Sequence, residues 1–278
     1  MEERPLIVFT LLTQAAVGAG LATAVVQAAP VDAEGARTIA AVGWTLAALL
    51  VASGLLASCA HLGVLVNAWR AAMNWRSSWL SREILATGTF TGLTALAALS
   101  TLRGGPAALL QGLALGAGLL AIHCMAMAYR LPTVPAWNSN LTHLSFFLTA
   151  LVLGSLVLGG LAPLAGGAAG KTLGSWAATA LVILTGCSLT LTGTWVVRLP
   201  EPLRSDILDA HSFVLWGRVG LALLGMITAL CLITGTWPPL GNQILRLAAC
   251  GAITGSEVLG RALFYIGHAP HDVYLHRG

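Results

Sequence analysis

The segment Leu141–Ala162, LTHLSFFLTALVLGSLVLGGLA, runs for 22 residues without one charged side chain. Wound as an α-helix it extends about 33 Å at 1.5 Å per residue, which matches the ~30 Å hydrocarbon layer of a bilayer. No alternation of period two breaks the run, so it reads as a helix and not as a barrel strand. Backbone groups in lipid must be satisfied within the segment, and a helix does this. Seven comparable runs lie on either side of it.

Working outward, the predicted spans are Pro5–Ala29, Thr38–Ala60, Glu83–Leu102, Pro106–Ala128, Leu141–Ala162, Thr172–Val197, His211–Thr234 and Leu240–Ile266. The whole chain, 278 residues with 57% hydrophobic and 9% charged side chains, agrees with this reading. A soluble domain carries about a quarter charged residues, and a mean hydropathy of +0.84 leaves no aqueous surface to build. Disorder is excluded by the apolar fraction. Nucleic-acid binding is not expected, because net charge is only +4 and the basic residues are scattered singly. The expectation is an all-α protein: a polytopic transmembrane helical bundle of eight spans, both termini on the same side, forming a single integral membrane domain over 1–278. The leading MEER has no net positive charge and the run after it is long, so span one reads as retained and not as a signal peptide.

Both termini and the loops after spans two, four and six then share one face, side A. It collects Arg4, Arg70, Arg76, Arg82, Arg130, Arg198, Arg204 and Arg277, against Arg37, Arg103, Lys171 and Arg246 on side B. The positive-inside rule places side A in the cytoplasm. Side A also has the longer loops, 61–82, 129–140 and 198–210, which marks it as the working face. Small-residue spacings at Gly88–Gly92 and Gly251–Gly255 predict close helix packing. Trp69, Trp75, Trp79, Trp137, Trp176 and Trp237 fall near span ends, as interfacial anchors do. Cys59, Cys124, Cys187, Cys231 and Cys250 are dispersed inside spans. They lack the grouping that iron–sulfur clusters or structural zinc need, so they read as small buried apolar residues.

Ionisable groups within a membrane are costly and are functional candidates. His61, His123, His143, His211, His268, His271 and His276 all lie on or toward side A, which suggests a proton-handling zone. Glu83 opens span three, where a helix N-terminal cap is the plainer reading. Glu257 and Arg261 lie four residues apart inside span eight, share a helix face and can pair, so a structural ion pair there competes with a ligand contact. The segment His61–Ile84, HLGVLVNAWRAAMNWRSSWLSREI, is amphipathic and suits the membrane surface. It carries His61 and Glu83 at its two ends, at similar depth. Oxidation of a hydroquinone needs such a pair. A neutral imidazole accepts the hydroxyl's hydrogen bond, and a partly desolvated carboxyl passes protons to water. Two other classes compete. A haem-b-containing quinone-reactive cytochrome would use histidines such as His61 and His123. A proton-coupled secondary transporter would show internal repeats and broken spans, which are not seen.

Four tracts carry a family resemblance: Arg4-Pro5-Leu6-Ile7-Val8-Phe9-Thr10; His61-Leu62-Gly63 through Ala68-Trp69-Arg70-Ala71; Ser78-Trp79-Leu80-Ser81-Arg82-Glu83; and Gly260-Arg261-Ala262-Leu263-Phe264-Tyr265. Val134-Pro135-Ala136-Trp137 adds a weaker match. Together they resemble the membrane-anchor subunits of dimethyl sulfoxide reductase-type complexes, over the whole chain. The sequence departs from the pattern at Val64 and Leu65, where the family has small or proline-containing residues.

The resemblance implies a quinol-binding subunit of a molybdopterin oxidoreductase complex in the bacterial cytoplasmic (inner) membrane, without haem of its own. It implies electron exchange between menaquinol or menaquinone and a four-cluster ferredoxin-like iron–sulfur subunit, which feeds a molybdenum catalytic subunit. It points to His61 and Glu83 at the quinol, with Trp69, Arg70, Arg82, Glu257, Arg261 and Tyr265 around the pocket. Resemblance to reductases exported by the twin-arginine route puts the partner side outside the cytoplasm, whereas the arginine count puts side A inside. Relatives with cytoplasmic catalytic subunits run the reverse reaction.

Overall fold

The computed structural model describes residues 4–59, 68–235 and 237–267, with the side chains of Arg4 and 68–70 outside the description. Ten α-helices follow in order. They are α1 Arg4–Ala28, α2 Ala33–Cys59, α3 Ala68–Met73, α4 Trp79–Leu102, α5 Ala108–Tyr129, α6 Asn140–Leu161, α7 Gly167–Arg198, α8 Glu201–Asp209, α9 Ser212–Thr234 and α10 Pro239–Ile266. Eight of them, all but α3 and α8, are long and apolar enough to cross a bilayer. The protein is an integral membrane helical bundle, as the apolar runs predict.

The innermost helix is α1, which packs against α2, α5, α6 and α10. On one flank α4 bridges α2 and α5. On the other, α6 leads to α7, α7 to α9, and α9 to α10. Lipid tails are as apolar as leucine, so association rests on close packing and interhelical hydrogen bonds. The closest approach is between α1 and α6. A Cβ at Gly18 would lie 2.3 Å from the Ala150 carbonyl oxygen, and one at Gly154 would lie 2.8 Å from that of Gly18. The bundle core includes Trp44, Phe90, Phe146 and Met125, all fully buried, whereas Leu49, Leu56, Leu109 and Leu247 face outward. Outward leucines suit acyl chains.

Several expectations change. Gly88, Gly92 and Gly251 have nothing within 4 Å of a would-be Cβ, so the first spacing makes no tight seam, and in the second only Gly255 is closely approached, by Leu221 of α9 at 3.0 Å. Only Cys124 is buried; Cys187 and Cys250 are exposed, and all five thiols are free. Trp137 is 5% exposed and belongs to the core, while Trp75, Trp176 and Trp237 are exposed as interfacial anchors would be. Helix α4 begins at Trp79, capped by the Ser78 side chain accepting from the Ser81 N–H. Glu83 is therefore an interior residue of the helix and not its cap. The α4–α5 turn is tight, with Gly104 at φ +69°, a left-handed conformation that glycine adopts without steric cost.

Candidate functional site

The start of α4 decides where Glu83 points. Ser81 Oγ donates to the Ala71 carbonyl at 2.5 Å. Arg82 donates through Nε to Trp75 O and through Nη2 to Arg76 O, each at 2.8 Å. Its guanidinium lies 4.2 Å over the Trp79 ring. Arg82 thus fastens the preceding segment onto α4 and is directed away from the bundle interior. The next residue, about 100° further round the helix, turns inward, and Glu83 is 5% exposed. Trp79 and Ala86, on the same face of α4, pack with Ala121 and Cys124 of α5. Glu83 lies within electrostatic range of Cys124, Tyr129 and Tyr265. Its carboxyl makes no hydrogen bond or ion pair among the described residues. A buried carboxyl ordinarily has its desolvation offset by a partner, and none of the described residues donates to this one.

Facing it is an aromatic box. The hydroxyls of Tyr129 and Tyr265 are 2.5 Å apart, joining the last residue of α5 to the last turn of α10. Trp137 stacks on Phe264 with centroids 5.1 Å apart and planes at 10°, and its Nε1 donates to Phe264 O at 2.7 Å. Trp195 Nε1 donates to Ala136 O at 2.9 Å, so α7 holds the same loop from outside. The Val134–Trp137 tract therefore acts as a clamp on the end of α10.

One face of α10 continues inward as a polar stripe, at Tyr265, Arg261 and Glu257. Arg261 Nη2 donates to Gln14 Oε1 at 2.8 Å, and its guanidinium lies 3.9 Å over Phe146. Glu257 accepts from Thr149 Oγ1 at 2.7 Å and from Ser188 Oγ at 3.1 Å. Its ion partner is Arg218 of α9, at 3.8 Å. The Glu257–Arg261 pair that their spacing allows does not form; α1 and Phe146 draw Arg261 away, and α9 supplies the cation. Arg218 also donates to Ser188 Oγ at 2.7 Å. Beside this network is a cavity of about 60 Å³ lined by Thr149, Ser188, Arg218, Glu257 and Arg261, among others. That volume suits a few water molecules and no ring.

Histidines meet in part. His143 Nε2 and His123 Nδ1 are 3.2 Å apart, and the edge of Trp79 meets the His123 ring at 5.7 Å. His211 pairs with Asp206 at 3.6 Å on the surface. His61, His268, His271 and His276 lie outside the described residues, as do the side chains of Trp69 and Arg70. Of the expected site residues, the structure gathers Glu83, Tyr265 and Arg261 at one end of the bundle and sets Glu257 deeper. Tyr129, Trp137, Gln14 and Arg218 join them without having been foreseen. Arg218 carried a usable signal as a lone cation inside a span, and Trp137 a weaker one as the end of the Val134–Trp137 tract.

With this geometry in view, comparison with known proteins gives a consistent result. The family model "DMSO reductase anchor subunit (DmsC)" matches residues 1–266. The anaerobic dimethyl sulfoxide reductase protein YnfH of Escherichia coli strain K12 is 31% identical over 278 residues, covering 95% of this chain and 94% of the relative. The C component of the anaerobic dimethyl sulfoxide reductase of Haemophilus influenzae is 35% identical over 161 residues, 56% of this chain and 57% of the relative. The C component of the sulfite dehydrogenase of Allochromatium vinosum is 58% identical over 45 residues, 16% of this chain and 14% of that protein.

Proposed function

The chain belongs to the DMSO reductase anchor subunit family, and from that premise we propose that it binds a membrane quinol at the α4–α5–α10 end of the bundle. There it passes electrons to an iron–sulfur subunit docked on that face. The observation that carries this reading is Glu83, a buried carboxyl with no donor of its own among the described residues, set among aromatic side chains. A hydroquinone hydroxyl supplies the missing donor, and its flat ring suits the company of Tyr129 and Tyr265. A menaquinol-type head group fits this donor set.

Oxidation of a hydroquinone releases two protons and two electrons. Glu83 accepts one hydroxyl's hydrogen bond and then its proton, and His61 does the same for the other. The aqueous face of the α3–α4 segment, where Arg76 and Arg82 lie, receives the protons. The electrons leave to the iron–sulfur subunit and from there to a molybdopterin catalytic subunit. Arg82 fastens the segment that precedes α4, Trp69 and Arg70 belong to the proposed pocket, and Arg261 and Glu257 support Tyr265 from below. The protein sits in the bacterial cytoplasmic membrane with both ends on the partner's face, and the arginine count favours that face lying inside.

The test uses membranes carrying the whole complex. E83Q and H61A each lower quinol-dependent turnover about a hundredfold, the usual scale for loss of a proton acceptor. Turnover driven by a reduced viologen, which bypasses the anchor, stays at the wild-type rate. Quinol-dependent turnover unchanged in both variants overturns the site.

A further inference from the structure

A second cleft lies at the other end of the bundle, where α6 and α9 finish and α7 and α10 begin. It has a volume of about 700 Å³, in the range of ligand pockets and far larger than the cavity beside Glu257. Its walls are mostly apolar, with Leu181 and Leu232 among them, and its rim carries Lys171, Arg246, Asn242 and Trp237. Among the described residues, no carboxylate and no histidine lines it.

The two cations are built into one wall. Arg246, on the eighth residue of α10, donates to the Gly159 carbonyl at 3.3 Å. Its Nη2 also lies 3.7 Å from where a Cβ of Gly174 would stand. Gly174 follows Lys171 by three residues on α7, so the two share a helix face. The Gly159 carbonyl takes one of the five N–H donors of Arg246, and Lys171 makes no ion pair among the described residues. Lys171 is the fifth residue of a 32-residue helix. That helix exceeds the hydrocarbon thickness, so its first turns reach headgroup depth, where exposed Trp237 also belongs.

We propose that this cleft is a binding site for an anionic phospholipid, its phosphate held between Lys171 and Arg246 and an acyl chain laid along the apolar wall. Charge complementarity selects the occupant. Two cations without a carboxylate beside them suit a phosphate and its negatively charged headgroup. A hydroquinone would find no proton acceptor there.

Native mass spectrometry of the purified complex from nanodiscs of equal phosphatidylglycerol and phosphatidylethanolamine tests this. Wild-type protein retains phosphatidylglycerol preferentially, and K171Q and R246Q each reduce the preference about fivefold. Lys171 makes no hydrogen bond or ion pair among the described residues whose loss would disturb folding, so K171Q reads the headgroup alone. R103Q, which removes another exposed cation outside the cleft, leaves the preference unchanged. Equal retention of both lipids by wild type, a preference undiminished in K171Q/R246Q, or a quinone held in the cleft overturns the proposal.

Discussion

Arg218 of α9 occupies the space that a side chain at Gly260 of α10 would need: a Cβ there would lie 1.0 Å from Arg218 Nη1. The guanidinium can lie against α10 there only because position 260 is glycine. That position delivers the guanidinium to Ser188 and Glu257. The buried charge of Glu257 depends on this. Two hydroxyls donate to it, but among the described residues only Arg218 supplies an opposite charge within ion-pair distance.

Gly260→Ala therefore displaces Arg218 and leaves Glu257 uncompensated. Separation of a buried ion pair costs roughly 3–5 kcal/mol. The expected outcome is a large loss of folded protein in mild detergent, measured by thermal denaturation and by recovery of the assembled complex. A melting temperature equal to wild type would mean that α9 shifts at no cost.

The pair itself is dispensable if both charges go together. Arg218→Met alone strands Glu257 and costs several kcal/mol, whereas R218M/E257M restores most of the loss, because apolar replacement of a buried pair is often neutral. Thermal melts of the single and double variants decide this. If the double variant is as unstable as R218M, the charges are needed for more than each other.

The eight spans were legible because lipid imposes one requirement on every residue of a run, and Leu141–Ala162 meets it without reference to any other segment. Glu83 was legible for the same reason, as an acid beside an otherwise apolar run. Pairings were not. Glu257 and Arg261 obey the i, i+4 rule, yet tertiary placement gives Glu257 to Arg218 and Arg261 to Gln14. Trp137 sits near a span end like an anchor, but the loop folds it onto Phe264. The Tyr129–Tyr265 contact joins residues 136 positions apart, and no local pattern encodes it.

The α1–α6 seam gives a prediction independent of any charge. A Cβ at Gly154 meets Gly18 backbone atoms at 2.8 to 3.1 Å, and backbone cannot rotate aside. Gly154→Ala should destabilise the bundle by about 1–3 kcal/mol through overpacking. Gly88→Ala, where nothing lies within 4 Å, should be neutral or slightly stabilising by helix propensity. Melting curves of the two variants test the contrast, and equal effects would refute the seam.

The tyrosine pair closes the bundle end on which Glu83 faces. Removing the Tyr265 hydroxyl leaves that of Tyr129 without its partner, at a cost of about 1–3 kcal/mol, and removing the Tyr129 hydroxyl leaves Tyr265 with the weaker company of Thr10, whereas removing both is nearly neutral. Y129F and Y265F should each lower stability, and Y129F/Y265F should recover most of it. If the pair also shapes the quinol pocket, the double variant raises KM for quinol more than it lowers kcat, because the hydroxyl contact that holds the two rings in place is lost while Glu83 remains. Viologen-driven turnover should not change in any of the three. A double variant no more stable than the worse single variant would show that each hydroxyl has another acceptor, and the α5–α10 closure would then rest on Trp137 and Phe264 alone.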